Sequence, residues 1–204
     1  MDKPFFSVIV PTHNSEEYVL NCLRSVKMQT FKSYELIVVC DACTDSTHWW
    51  VESFADKVID TDFGVDGMAR NAGIDAAEGK WLLFLDDDDW WIHEYVLDEI
   101  YKKIMLRPDP DSVDMIIFDF IWKGRGYYHN RGNRMNIAVW TKAFRREFVG
   151  DTRFPAIPFT SDVNFMDDIL QKMPRCEKLD DLMYYYNYMR EGSQTEEHAR
   201  GGDV

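Results

Sequence analysis

The feature that most constrains this chain is the alternation of short, unbroken, β-prone apolar runs with segments of helical period. FFSVIV, residues 5–10, is such a run and is ended by Pro11. An apolar run without polar alternation predicts a strand buried on both faces, as in a parallel sheet. Asn14 and Ser15 offer caps for the next segment, where Tyr18, Val19, Cys22, Leu23 and Val26 recur at helical spacing. YELIVVC is a second strand, Thr44 and Asp45 precede a Trp-containing helix, and KVID is a short third strand. Residues 66–78 read as a helix, KWLLFL as a strand and HEYVLDEIYKKIM as an amphipathic helix. Strands alternating with helices predict an α/β fold with a doubly wound, mostly parallel sheet and helices on both faces.

RPDPDS, residues 107–112, breaks this pattern, because two prolines and their polar neighbours cannot continue a helix. Beyond it VDMIIFDFIW is strand-like, GRGYYHNRGNRMN is a loop or hairpin, TKAFRREF and VNFMDDILQKM read as helices, and LMYYYNYM is a last strand. A chain of 204 residues suffices for one well-packed domain, since a domain of this size buries roughly 70% of its unfolded surface.

Charge narrows the possible partners. With 23 Lys and Arg against 36 Asp and Glu, the net charge of −13 repels nucleic acid and an anionic bilayer at long range. An acidic protein that handles a diphosphate needs a local countercharge, and a divalent cation held by carboxylates supplies one. No apolar run approaches the roughly 20 residues that span a bilayer, and the start MDKPFFSVIVPTHN lacks signal-peptide features, so a cytoplasmic protein is expected. The aromatic share is 15%, with seven Trp. Most such rings pack cores, while sugar sites use them to stack on C–H faces.

The sharpest candidate for chemistry is FLDDDDWW, four carboxylates directly after a buried strand. Ligands of open α/β sheets bind beyond the carboxyl ends of the strands, where these residues fall. If the segment is extended, Asp86 and Asp88 face the same way and can share one cation. A solvated acidic turn is the plainer alternative. Four adjacent like charges between Leu85 and Trp90 repel one another unless a cation compensates them, which favours the metal.

SVIVPTHN, LIVVCDACTDST, GMARNAGIDAAEGKWLLFLDDDD, WTKAFRRE, SDVNF and REGSQT, taken in order, resemble glycosyltransferase family 2 over nearly the whole chain. The resemblance implies a GT-A fold and inverting transfer of a sugar from a nucleotide diphosphate to an acceptor hydroxyl. Residues 1–204 then form one such domain, with a nucleotide-sugar half at 1–106 and an acceptor half at 107–204. By similarity Pro11, Thr12 and Asn14 line the base pocket, and Asp41 accepts from a uracil imide, which favours a UDP-sugar. Arg70 would sit beside the base or the phosphates, against the alternative of a surface helix arginine. Asp86 and Asp87 would contact the donor, and Asp88 with Asp86 would hold Mn2+ or Mg2+. His198 is a candidate third ligand, Arg190 and Ser193 are candidate phosphate contacts, and Trp90 is the expected acceptor contact.

Asp162, in SDVNF, stands where the family's catalytic base does, with Asp167 and Asp168 as competitors on the same helix. Departures from the pattern are Ser161 in place of the usual Glu, and Cys40 and Ala42 in the second motif. Cys40 and Cys43 form a Cys-x-x-Cys pair, but Asp41 between them disfavours a thiolate, and neither Cys22 nor Cys176 completes a zinc pattern. A sugar nucleotidyltransferase would carry a Gly-rich loop after the first strand, and VPTHNSEEY has none. A binding module that has lost activity is the other alternative, which the retained Asp162 opposes and Ser161 leaves open.

Overall fold

The computed structural model describes residues 3–129, 138–158 and 160–188. Nine strands form one sheet: β1 (Phe6–Thr12), β2 (Tyr34–Asp41), β3 (Lys57–Thr61), β4 (Trp81–Phe84), β5 (Trp90–Trp91), β6 (Met115–Trp122), β7 (Gly126–Tyr128), β8 (Lys142–Arg145) and β9 (Cys176–Tyr186). Their order is β3-β2-β1-β4-β8-β6-β9-β5, with β7 paired to β6. The first four strands are parallel, in a register that sets Val8 beside Leu36 and Leu83. The helices are α1 (Val19–Lys27), α2 (Thr47–Phe54), α3 (Asp66–Ala76), α4 (Val96–Met105), α5 (Arg146–Val149) and α6 (Ser161–Gln171).

Both faces of the sheet are covered, which is why its strands read as unbroken apolar runs. Val8, Val10, Leu36, Val38 and Leu83 pack against α1, α2 and α4 on one face. Ile9, Ile37, Leu82 and Phe84 pack against α3 and α6 on the other. Side chains alternate across each strand, so consecutive residues feed two separate cores. α3 lies so close to β1 that a Cβ on Gly73 would stand 2.3 Å from Ile9 Cγ2.

Three local expectations change. Pro11 does not end β1, which continues to Thr12. The Ile9 carbonyl accepts from the Leu85 N–H on the β4 side, and the backbone of Pro11, two residues on, points the same way, beyond the end of β4. The N–H that Pro11 lacks would therefore have had no strand to donate to. Asn14 and Ser15 do not cap α1 with their side chains. Asn14, at φ +45°, accepts instead from the Thr44 and Asp45 N–H groups and ties the two loops together. TKAFRREF is not a helix. Thr141 closes a 3-10 turn, Lys142–Arg145 forms β8, wedged antiparallel between β4 and β6 with Ala143 and Phe144 fully buried, and the α-helix is confined to Arg146–Val149.

Candidate active site

The carboxyl ends of the parallel strands β1, β2 and β4 share one edge of the sheet, where Thr12, Asp41 and the acidic run lie. The run is a turn and not an extended segment, since the Asp89 N–H donates to the Asp86 carbonyl at 3.1 Å. The premise that Asp86 and Asp88 face one way because the chain is extended is therefore corrected. The four carboxylates have separate surroundings. Asp89 is fully buried, accepting from the Tyr184 hydroxyl at 2.6 Å and the Asn187 N–H at 2.7 Å. Asp87 accepts from the Thr12 hydroxyl at 2.6 Å. Asp86 accepts from Arg70 Nη2 at 2.8 Å. Asp88 is half-buried, close enough for its charge to push the Asp86 carboxyl up.

Arg70 organises the centre. It is buried, not the surface residue that a helix position suggests, and its ring partner is Phe154, 5.6 Å from the guanidinium. Nη1 reaches Asp66 at 2.5 Å and Asp162 at 3.4 Å. One guanidinium thus joins Asp66 from the first turn of α3, Asp86 from the β4 turn and Asp162 from the first turn of α6. Asp162 Oδ1 is buried and makes no hydrogen bond. Burial pushes the Asp162 carboxyl up, while the Arg70 charge pulls it down. Burial likewise raises Asp86, with the Asp162 and Asp88 charges adding to the shift. Three carboxylates share one guanidinium, a fourth is adjacent, and Asp162 Oδ1 has an ion pair but no hydrogen bond, so negative charge is in surplus here. Carboxylate oxygens are the donor chemistry of hard divalent cations of the Mn2+ or Mg2+ class, although among the described residues no three of these carboxylates converge on one point.

Lys142, on β8 and 2% exposed, is pulled down to about 7 by burial, opposed by the Asp162 charge. Its ammonium donates to the Ala138 carbonyl at 2.7 Å. Asp167 and Asp168 are exposed, away from this cluster. Ser161 is 2% exposed and its hydroxyl donates to Asp66 at 3.4 Å. A Cβ on Gly67 would come within 2.8 Å of the Ser161 Cβ, so α3 and α6 meet where the family's Glu would stand.

Asp41 is buried at the end of β2, and its carboxylate accepts from the Thr61 hydroxyl and from the Phe63 and Gly64 N–H groups. It therefore shapes the β3–α3 loop, with one lone-pair direction on Oδ2 left over. His13 Nδ1 donates to the Asp41 carbonyl at 2.6 Å. Asp45, not Asp41, holds the turn that leads into α2, accepting from the Thr47 N–H at 2.9 Å, while the N-cap is Ser46. Trp90 stacks on Tyr185, with centroids 4.3 Å apart, and lines a groove of about 460 Å³ beside Arg24 and Met28 of the α1 region. None of the groove's lining residues belongs to the Arg70 cluster. Arg190, Ser193 and His198 lie outside the described residues.

Sequence reasoning missed Asp66, Lys142 and Tyr184. The i, i+4 spacing of Asp66 and Arg70 was a readable signal. Lys142 and Tyr184 carried none, because their roles arise from distant strands.

The family model described as glycosyl transferase family 2 matches residues 7–170, more than half of the chain. The chain belongs to glycosyl transferase family 2. Among the relatives of this family-2 chain, the poly(ribitol-phosphate) beta-N-acetylglucosaminyltransferase TarS of Staphylococcus aureus is 30% identical over 214 residues, covering 92% of the chain and 36% of TarS. The putative glycosyltransferase EpsH of Bacillus subtilis is 34% identical over 125 residues, covering 59% of the chain and 35% of EpsH. The chain thus spans little more than a third of the length of these curated relatives. The crystal structure of TarS 1–349 in complex with UDP-GlcNAc superposes with a TM-score of 0.82 at 29% identity, over 94% of the chain and 60% of that structure. The mannosyltransferase PcManGT of Pyrobaculum calidifontis, in complex with GDP-Man and Mn2+, shares the fold with a TM-score of 0.71 at 19% identity, over 94% of the chain and 59% of that structure. The architecture is the GT-A glycosyltransferase fold.

Proposed function

We propose that this family-2 chain transfers a sugar from a UDP-sugar to an acceptor hydroxyl with inversion, using Asp162 as general base. The observation that carries the reading is the Arg70 hub, which brings Asp162 of α6 to the acidic turn of β4. A base and a donor-side carboxylate held by one guanidinium stand where an attacking hydroxyl and a leaving diphosphate can meet. Asp162 takes the hydroxyl proton as oxygen attacks the anomeric carbon from the face opposite the leaving UDP. Burial, which raises this carboxyl, makes it a better proton acceptor near neutral pH. Asp86 and Asp88 would hold Mn2+ or Mg2+, which when bound supplies charge neutralisation for the departing diphosphate. Asp41 receives the base, and residues 1–106 and 107–204 serve as donor and acceptor halves of one domain.

TarS binds UDP-GlcNAc in its crystal structure, so UDP-GlcNAc is the first donor to test. Among the described residues no helix is long and apolar enough to cross a membrane, and we propose a cytoplasmic setting. The experiment is a screen of nucleotide sugars for hydrolysis and thermal stabilisation, with manganese and with chelator. UDP should raise the melting temperature only with the cation, by an amount corresponding to about 2.7 kcal/mol at a hundredfold excess over Kd. Equal stabilisation in chelator would contradict the cation bridge, and stabilisation without any turnover would favour a binding module.

A further inference from the structure

Beside Asp41, at the carboxyl end of β2, the α1 and α2 face of the sheet gathers a different set of donors. Cys40 and Asp60 are register partners on the parallel strands β2 and β3, so their side chains stand together on one sheet face. Cys40 belongs to the core on the α1 and α2 face, and His48, in the first turn of α2, reaches the same spot. The Cys40 Sγ, a His48 ring nitrogen and an Asp60 carboxylate oxygen all lie within 4.8 Å of one another. His48 Nε2 is 3.0 Å from Asp60 Oδ1, and the opposite ring nitrogen, Nδ1, is 3.7 Å from the Glu52 carboxylate. The Glu52 carboxylate is thus near, though not hydrogen-bonded to, the nitrogen opposite Asp60, the side from which a carboxylate orients a metal-binding imidazole. The Cys43 thiol donates to the Thr12 carbonyl at 3.5 Å, and both cysteines are free.

We propose that Cys40, His48 and Asp60 form a zinc site, with Cys43 as the fourth ligand once its thiol turns from the Thr12 carbonyl. Ligands of a tetrahedral zinc stand about 3.3–3.8 Å apart given bonds of ~2.0–2.3 Å, so a small rotamer adjustment closes the set. Thiolate and imidazole select zinc over the hard cations suited to the all-oxygen turn at Asp86 and Asp88. Binding expels the thiol protons to solvent. Cys40 is 2% exposed whereas the Asp60 side chain is 71% exposed, so the site has a buried anchor and an open entry. Sequence spacing concealed it, because Asp60 comes from the next strand and not from a second Cys or His pair. The ion would clamp β2, β3 and the start of α2 around Asp41, stabilising the loop without touching the reacting atoms.

The test uses the full chain, stripped of metal and kept under a phosphine reductant, titrated with Co2+ as a spectroscopic substitute. One equivalent should produce thiolate-to-cobalt charge-transfer absorption with tetrahedral visible bands, and Zn2+ should raise the melting temperature and displace the cobalt. His48→Gln and Asp60→Asn alter a solvent-accessible pair, of the kind worth about 0–1 kcal/mol, and should leave the metal-free melting temperature nearly unchanged. Each should weaken Co2+ at least tenfold, while Asp88→Ala leaves Co2+ affinity as in the wild type. No charge-transfer band at one equivalent would overturn the proposal. So would a band whose affinity is indifferent to both His48→Gln and Asp60→Asn, since the two cysteines alone would then account for it.

Discussion

At the scale of single residues, the account rests on Arg70 and Asp41 doing structural work inside the site. Arg70→Gln would leave Asp66, Asp86 and Asp162 facing one another without a cation. Removing one partner of a buried ion pair costs about 3–5 kcal/mol, so its urea midpoint should fall accordingly; a loss below about 1 kcal/mol would show that the carboxylates are compensated elsewhere. Asp41→Asn removes one acceptor from three donors and the proposed uracil contact. UDP affinity should drop about ten- to a hundredfold, from about 1.5–3 kcal/mol for a charge-assisted hydrogen bond, while pyrophosphate binding persists. Equal binding of GDP and UDP by the wild type would remove the uracil assignment. Asp162, Asp86 and Asp88 could be picked out as candidates through family resemblance, because short motifs at strand and helix starts survive in one dimension. The hub itself was not, since Arg70 gathers partners from two helices and a turn that only folding brings together.

At the scale of elements, strands buried on both faces were readable wherever the apolar run was unbroken, as in β1, β2 and β4. β8 was not, because only Ala143 and Phe144 are apolar between Lys142 and Arg145, and the flanking charges suggested an amphipathic helix. Its ends are held by tertiary partners instead. Asp114 binds Arg145 at 2.7 Å and Arg175 at 2.8 Å, joining β8 to the start of β9 beside β6. Those bonds, led by Arg175, hold the Asp114 carboxyl well below the usual carboxylate range. A lowered folded pKa stabilises above the unfolded value and loses that stabilisation as pH falls. Wild-type stability should therefore decline below about pH 4 more steeply than that of Asp114→Asn, which is uniformly weaker by about 1.5–3 kcal/mol at neutral pH. Parallel pH profiles for the two proteins would contradict this. Gly73→Ala should also destabilise by about 1–3 kcal/mol, because overpacking against Ile9 outweighs the helix propensity gained.

At the scale of the whole molecule, the net charge of −13 bears on the acceptor. A polyanionic acceptor would be repelled at long range, since the Debye length is about 30 Å at 0.01 M salt and about 8 Å at 0.15 M. KM for such a polyanion should fall as salt rises over that range, while KM for a neutral sugar stays constant; a KM that rises with salt would reveal a local basic surface that dominates. The central claim is that Asp162 is the base of a glycosyl transfer at the Arg70 hub. The most direct measurement is the transfer rate of Asp162→Asn, taken with its UDP affinity and with Asp167→Asn and Asp168→Asn as exposed controls on the same helix. The account predicts that Asp162→Asn keeps UDP affinity and loses roughly two to four orders of magnitude in turnover, with both controls near wild type. Transfer at the wild-type rate by Asp162→Asn, or a collapse confined to Asp167→Asn or Asp168→Asn, would contradict it.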